Sequence, residues 1–132
     1  MELEFFGGNC FRIKTKQTTI VVDDNLEAMG KKALLSDKVA SFYTSDAVKR
    51  PAKNPAYLVI DTAGEFEVGD VTVKGVQARA HMDEEGQKTA TVFQFMHSGQ
   101  TISVLGHVHP DLDADVLELV SGTDVLVVPV RS

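Results

Sequence analysis

Short apolar runs of strand length follow one another along most of the chain. In the run 11–14, Phe-Arg-Ile-Lys, apolar and polar residues alternate, which predicts a strand with one face in water. The run 19–22, Thr-Ile-Val-Val, is β-branched throughout and predicts a strand buried on both faces. Further strands are predicted at 3–6, 39–43, 57–60, 66–68, 71–73, 92–96, 101–105 and 125–130. Gly69-Asp70 and Ser98-Gly99-Gln100 predict hairpin turns between four of them.

Two stretches have helical character. The first, 26–35, follows the polar cluster Asp23-Asp24-Asn25, which could cap it, although Gly30 weakens the helix by about 1 kcal/mol relative to alanine. The second begins at Pro110, a residue suited to the first helical position, and ends at Gly122. Its apolar positions recur at helical spacing: Leu112, Val116, Leu119 and Val120. Hairpins interspersed with helices predict an α/β fold of layered sheets (α+β layering).

Composition narrows the class of protein. A chain of 132 residues with 43% apolar and 24% charged residues predicts one globular domain over 1–132. The net charge of −6 argues against nucleic acid or an anionic membrane as partner. The single cysteine, Cys10, cannot form an internal disulfide, and the start of the chain lacks the layout of a signal peptide. Both features predict a cytoplasmic protein.

Several polar or reactive residues have a simple structural interpretation. Cys10 has no adjacent histidine to activate it and is interpreted as a buried thiol. His97, next to a turn, is interpreted as a solvated hairpin residue. The acidic run 83–85 is interpreted as a solvated loop tip.

Three stretches together resemble the metallo-β-lactamase-fold hydrolases, in particular the compact branch of metal-dependent hydrolases similar to ascorbate-phosphate lactonases. The first is Phe6-Gly7-Gly8-Asn9-Cys10-Phe11-Arg12-Ile13 followed by Thr19-Ile20-Val21-Val22-Asp23. The second is Ile60-Asp61-Thr62-Ala63-Gly64-Glu65-Phe66-Glu67-Val68-Gly69. The third comprises Ile102-Ser103-Val104-Leu105-Gly106 and Asp124-Val125-Leu126-Val127-Val128-Pro129-Val130. The resemblance implies a metallo-β-lactamase-like β-sandwich with flanking helices, shortened at its C-terminus.

The departures from this family bear on function. Where the resemblance implies the zinc-binding motif His-x-His-x-Asp-His, this chain has Tyr43-Thr44-Ser45-Asp46-Ala47-Val48. His107 stands where the family has a bridging Asp, and His81 falls where it has another metal histidine. The family's last metal histidine lies beyond the end of this chain. The resemblance therefore implies a fold that lacks the two-zinc motif.

A residual metal site remains an alternative. His107 and His109 form an H-x-H pair at a strand end, and the resemblance implies that His81 lies nearby. These three residues could hold a single divalent metal, with Asp83 or Asp111 as a carboxylate ligand. Otherwise the pair consists of polar residues in the loop before the second helix, one of them capping it.

Two hypotheses about function follow. In the first, the chain is a degenerate family member without a dinuclear zinc site or another cofactor, and acts as a binding or assembly module for an unidentified small molecule. In the second, it is a metal-dependent hydrolase that uses His81, His107 and His109. A homodimer is predicted as well, because the apolar run 125–130 needs cover on both faces and a partner along its edge.

Overall fold

The computed structural model describes residues 1–128, whose strands form two five-stranded mixed sheets. The first sheet has the order β1 (Glu2–Gly7), β2 (Cys10–Lys14), β3 (Thr19–Val22), β4 (Ala40–Phe42) and β5 (Leu58–Ile60). Its first three strands are antiparallel, and β4 and β5 are parallel to β3. The predicted β-sandwich of the α/β class is thereby confirmed.

The second sheet is mostly a meander. It has the order β10 (Val125–Val127), β9 (Gln100–Val104), β8 (Ala90–His97), β7 (Val71–Ala78) and β6 (Gly64–Val68). Strands β6 to β9 are antiparallel, and β10 runs parallel to β9. Both predicted hairpins are confirmed, and Gly69 and Gly99 adopt the positive φ angles of 59° and 79° that such turns require. The last predicted strand is confirmed for 125–127, while 129–130 lie outside the described residues.

The main core lies between the two sheets. It contains Phe42 from the first sheet against Phe93 and Phe95 from the second, with ring centroids 5.2 and 5.1 Å away in edge-to-face geometry. Strand β3 is buried on both faces, as predicted, because Ile20 and Val22 face this core while Val21 packs on the outer side with Leu26. Alternation along the strands thus decides which residues fill each layer.

The predicted helix 26–35 is wrong. Only a single 3₁₀ turn, Leu26–Met29, forms there, and it ends at Gly30 with a left-handed φ of 76°. Beyond Gly30 the segment is held in place by hydrogen bonds to the buried carboxylate of Asp24, not by helical hydrogen bonds. It accepts hydrogen bonds from the backbone N–H of Leu26 (3.3 Å) and of Leu34 (2.7 Å), so one side chain satisfies both ends of the loop.

The second helix exists but starts four residues later than predicted. Helix α1 covers Ala114–Val120, and Asp113 precedes it in an extended conformation. Pro110 does not begin it because the N–H of Asp111 turns back to the Nδ1 atom of His109, 3.1 Å away. The helix packs on the outer face of β7 and β8, where Val116 is only 1% exposed. Leu119 and Val120 are half-buried beside it.

Candidate functional site

A cavity of about 390 Å³ lies at one end of the sandwich, where five loops meet. The Gly8-Asn9 turn and the end of β3 form one wall, and the loop after β4 forms another. The loops after β7 and β9 complete it. Its lining residues are Gly8, Asn9, Asp23, Asn25, Ser45, Ala47, Val48, Lys49, His81, Met82 and His107.

Asp23, which lines the cavity, and its buried neighbour Thr44 form the floor of the site. Asp23 is 2% exposed and has a left-handed φ of 53°, which turns its side chain away from the following loop toward Thr44. The carboxylate accepts the Thr44 N–H at Oδ1 (2.8 Å) and the Thr44 hydroxyl at Oδ2 (2.7 Å). Asp23 therefore does not cap a helix, contrary to the sequence-based interpretation, and Thr44 satisfies both of its oxygens.

Thr44 is itself fixed from the second sheet. Its carbonyl accepts the N–H of Thr91 at 2.7 Å, and a bridge pairs Ser45 with Ala90. Gly106 lies directly against the Thr44 side chain, since a Cβ atom at position 106 would be 2.6 Å from the hydroxyl oxygen. Packing and hydrogen bonds together therefore hold Thr44 in place.

Burial dominates the electrostatics of this floor. Desolvation raises the pKa of Asp23 to about 6, although the hydrogen bonds from Thr44 and the charge of Arg50 act in the opposite direction. The guanidinium of Arg50 stacks on the Tyr43 ring, 4.1 Å from its centroid, and pairs with Asp61 at 3.3 Å. Arg50 does not line the cavity, and it contacts the floor through Tyr43, the residue before Thr44.

The Cys10 thiol is not a nucleophile in this arrangement. Burial, reinforced by the negative charges of Asp24 and Asp23, raises its pKa to about 12. Only the thiolate attacks electrophiles, so a thiol that stays protonated at neutral pH is unreactive. The interpretation of Cys10 as a buried structural residue is confirmed by its exposure of 1%.

The structure brings two of the three candidate metal histidines to the cavity. His81 and His107 both line it, and the N–H of His81 donates to the carbonyl of His107 at 2.8 Å. His109 is absent from the lining, and its Nδ1 atom accepts the N–H of Asp111. His107 contacts the Asn9 amide instead, with 2.9 Å between Nε2 and Nδ2.

These donors do not fit the dinuclear zinc centre of the family that the sequence motifs resemble. Within residues 1–128 no group of three or more histidine, cysteine, aspartate or glutamate side chains is arranged to hold a metal ion. Asp23 is already bonded to Thr44 through both oxygens, and hydroxyl groups such as those of Thr44 and Ser45 are not zinc ligands of ordinary structural or catalytic sites. The single-metal set of His81, His107 and His109 stays a prediction.

His97 is not the solvated residue that the sequence indicates. Its Nδ1 atom lies 3.1 Å from the carbonyl oxygen of Asp70 and 3.5 Å from the Oδ2 atom of that residue. Asp70 also accepts hydrogen bonds from the hydroxyls of Thr15 (2.7 Å) and Thr18 (2.6 Å), which hold its pKa below the usual range. These bonds connect the turn at 15–18, the Gly69-Asp70 turn and the turn that follows His97.

Asp83 is likewise more than a solvated acid. It accepts hydrogen bonds from the N–H of Ala80 (2.9 Å) and from the N–H of Thr89 (2.9 Å), and these bonds lower its pKa. They close the loop that follows His81. Glu84 and Glu85 are exposed, as predicted.

Sequence reasoning missed Lys49 and Asn9 as residues of the cavity. Both lie in loops without a recognisable motif, and Asn9 meets His107 across 98 positions of sequence. The positive φ of 68° at Asn9 is a conformation that asparagine tolerates, so Gly7-Gly8-Asn9 carried a turn signal but none for a binding site.

A second, largely apolar cavity of about 750 Å³ adjoins the first. Gly8, Asn9, Asn25 and His107 line both cavities, so the contact between Asn9 and His107 lies where the two meet. The apolar side is lined by Phe5, Cys10, Met29, Val127 and Val128.

Neither helical segment in the described part of the chain has the length and apolar character that crossing a bilayer requires.

Comparison with known proteins identifies the fold. Residues 2–132 match a family model described as a β-lactamase superfamily domain. No curated protein sequence gives a significant match. The structure is similar to that of a proposed Zn-dependent hydrolase of the metallo-β-lactamase superfamily from Thermotoga maritima, with 24% identity and a TM-score of 0.67 over 97% of this chain and 60% of that one.

Two further structures share the fold at lower identity. Zn²⁺-bound PqqB from Methylobacterium extorquens is 11% identical, with a TM-score of 0.60 over 90% of this chain and 58% of that one. CmlA, a diiron β-hydroxylase from Streptomyces venezuelae, is 12% identical, with a TM-score of 0.62 over 94% and 33%. The chain thus spans at most 60% of the length of these three proteins. The resemblance to the superfamily that was drawn from the sequence motifs is confirmed, and the chain belongs to the β-lactamase superfamily, with the metallo-β-lactamase fold.

Proposed function

We propose that this protein is a non-hydrolytic binding module of the metallo-β-lactamase fold, which holds a small anionic molecule in the cavity where the five loops meet, without a dinuclear zinc centre. The observation that carries the proposal is the closed floor formed by Asp23 and Thr44. Both carboxylate oxygens accept hydrogen bonds from Thr44, and Gly106 packs against the same side chain. This pairing occupies the stretch where the resemblance implies the metal-binding histidines.

The remaining lining favours an anion. Lys49 lines the cavity, and none of the carboxylates in residues 1–128 forms an ion pair with it. His81, His107 and Asn9 line the cavity as well, and the Nδ2 atom of Asn9 lies 2.9 Å from the Nε2 atom of His107. Asp23, the one carboxylate of the lining, is bonded to Thr44 through both oxygens, so Lys49 is the charged group of the cavity suited to a carboxylate or phosphate.

The first experiment measures the metal content of the purified protein by elemental analysis. We expect less than about 0.1 equivalent of zinc, manganese or iron, and no change in melting temperature with EDTA, because only ligands of the folded state shift it. His97→Gln is the matched control for His107→Ala, since His97 lies outside the cavity lining. Near-stoichiometric metal that is lost in His107→Ala but kept in His97→Gln would overturn the proposal.

The second experiment measures thermal shifts with inorganic phosphate and acetate. We expect stabilisation that increases with ligand concentration and is lost in Lys49→Met. Lys53→Met, which removes an exposed lysine of the same loop outside the cavity lining, should behave like the wild type. Stabilisation that persists in Lys49→Met would count against an anion site in this cavity.

One observation favours the alternative, a hydrolase with a single metal. His81 and His107 line the same cavity and are joined through their backbones. A metal held there would need a further ligand, for which His109 or Asp83 remains the prediction. The elemental analysis separates the two proposals directly.

The cytoplasmic location and the homodimer remain parts of the proposal. Support for the dimer comes from strand β10, which pairs only with β9 among the described strands and leaves Val125 41% and Leu126 47% exposed. An apolar strand at a sheet edge is a common site of self-association.

A further inference from the structure

We propose that the anion in the cavity where the five loops meet is bound together with a proton, which neutralises the Asp23 carboxylate in the lining of the same cavity. This inference rests on the function proposed above and adds that pH controls the site. Its basis is the presence of a buried acid in the same lining as Lys49, so that an anion held by Lys49 shares the cavity with a second negative charge.

Asp23 has no cation of its own to compensate its charge. None of the ion pairs within residues 1–128 involves it. Arg50, whose charge acts on Asp23, is paired with Asp61 at 3.3 Å and with Asp46 at 3.5 Å. Because Asp23 is only 2% exposed, water and salt screen its charge poorly, and a bound anion in the same cavity repels it strongly.

The floor of the site accommodates the neutral acid without rearrangement. Thr44 donates its N–H to Oδ1 of Asp23 (2.8 Å) and its hydroxyl to Oδ2 (2.7 Å). A hydroxyl group also accepts hydrogen bonds, so a proton on Oδ2 can be donated back to the Thr44 oxygen while both contacts persist. Proton uptake therefore changes the charge of the floor and leaves its shape intact.

Other titratable or charged groups act on Asp23 or line its cavity, from each element around it. They are Asp24, which follows it, Cys10 in β2, Tyr43, Lys49 and Arg50 after β4, His81 after β7 and His107 after β9. Burial raises the pKa of both Cys10 and Tyr43, so these two stay neutral. Histidines gain charge as the pH falls, which also favours an anion, and the experiment has to separate their contribution from that of Asp23.

Linkage between the proton and the anion gives the sign and the size of the effect. Burial raises the pKa of Asp23 to about 6, and repulsion by a bound anion raises it further. The anion therefore binds more tightly to the protonated protein, and its affinity falls as the pH rises through both pKa values. A tenfold higher proton affinity in the complex makes binding about sixfold weaker at pH 7.5 than at pH 5.5 and adds about 0.5 proton per anion at pH 6.5.

Calorimetric titration with sulfate tests the inference, because sulfate keeps the same charge over this pH range. The ratio of its dissociation constants at pH 7.5 and pH 5.5 should be at least about fivefold smaller in Asp23→Asn than in the wild type. The comparison cancels the contribution of the two histidines, which both proteins share. Asp37→Asn, at an exposed aspartate, is the matched control and should keep the wild-type ratio.

Two further measurements report the proton itself. Titration at pH 6.5 in buffers of different ionisation enthalpy should show that Asp23→Asn takes up about 0.5 proton fewer per sulfate than the wild type. In the wild-type protein, the carbon-13 shift of the Asp23 carboxyl, followed by NMR against pH, should give a pKa that rises by about 1 or more in saturating sulfate. The carboxyl of the exposed Asp37 should show no such rise.

The outcomes distinguish this inference from the function on which it rests. Sulfate binding with the same pH ratio in the wild type and Asp23→Asn would overturn the coupling and leave the anion site intact. An Asp23 pKa that saturating sulfate leaves unchanged would do the same. If neither sulfate, phosphate nor acetate binds at either pH, both proposals are overturned.

Discussion

Replacing Asp23 with asparagine tests the electrostatic description of the site floor. The side chain is buried, and desolvation raises its pKa from 3.8 to about 6. Asparagine tolerates the left-handed backbone conformation, its Oδ1 can accept the Thr44 N–H, and its Nδ2 can donate to the Thr44 hydroxyl, which also accepts. The substitution therefore removes the buried charge while it keeps the geometry.

The magnitude follows from the shift in pKa. An acid whose pKa is higher in the folded state binds its proton more tightly there, so its ionisation destabilises the fold as pH rises from about 4 to about 6. A shift of about two units corresponds to about 3 kcal/mol at pH 7.5 and to about 0.5 kcal/mol at pH 4. Asp23→Asn should thus stabilise the protein by up to about 3 kcal/mol at pH 7.5, and this gain should almost vanish at pH 4.

Urea unfolding at the two pH values measures both numbers. The difference between variant and wild type isolates Asp23, because the other carboxylates contribute equally to both proteins. Asp37→Asn, at an exposed aspartate, is the control and should be near neutral at both pH values. The reasoning would be refuted by an Asp23→Asn protein that is less stable than the wild type at pH 7.5, or by a stability difference that does not change with pH.

Four further predictions follow from other parts of the molecule. Asp70→Asn should lower the urea midpoint at pH 7, and the difference should shrink as the pH falls below 3.8 and vanish below the lowered pKa of Asp70 in the folded state, because the carboxylate stabilises the fold only while it is charged. Gly106→Ala should cost at least about 1 kcal/mol more than Gly30→Ala in the same assay, since both glycines have positive φ angles but only position 106 lies against Thr44. Val116→Ala should cost about 2 kcal/mol by loss of buried methyl groups under helix α1. Sedimentation equilibrium at micromolar concentration should give twice the chain mass of 14.3 kDa.

Each of these predictions has a clear contrary result. An Asp70→Asn midpoint that stays depressed at low pH would mean that packing, not charge, is lost. Equal costs for the two glycine variants would show that Thr44 moves aside, and a neutral Val116→Ala would mean that the helix lies loosely on the sheet. A single 14.3 kDa species that is unchanged by tenfold dilution would rule out the dimer.

The sequence alone determined most of the β-structure, because strand patterns are local. Alternation at 11–14 and the β-branched run at 19–22 specify how each strand is buried, and glycine at a hairpin turn specifies where it reverses. The motifs around Gly8, Glu65 and Asp124 also pointed to the superfamily, which the family match over 2–132 confirms. Helix boundaries were predicted less well, since side chains such as Asp24 and His109 compete for the backbone N–H groups that a helix would use.

The candidate site was decided by the tertiary structure. The sequence predicted one metal site from three histidines, yet the fold directs His81 and His107 to the cavity where the five loops meet and bonds His109 to its own loop. Lys49 and Asn9 carried no motif and became lining residues only because loops distant in sequence converge there. Side-chain patterns report local burial with a period of two or about 3.6 residues, whereas a cavity depends on contacts across many tens of residues, which no local pattern encodes.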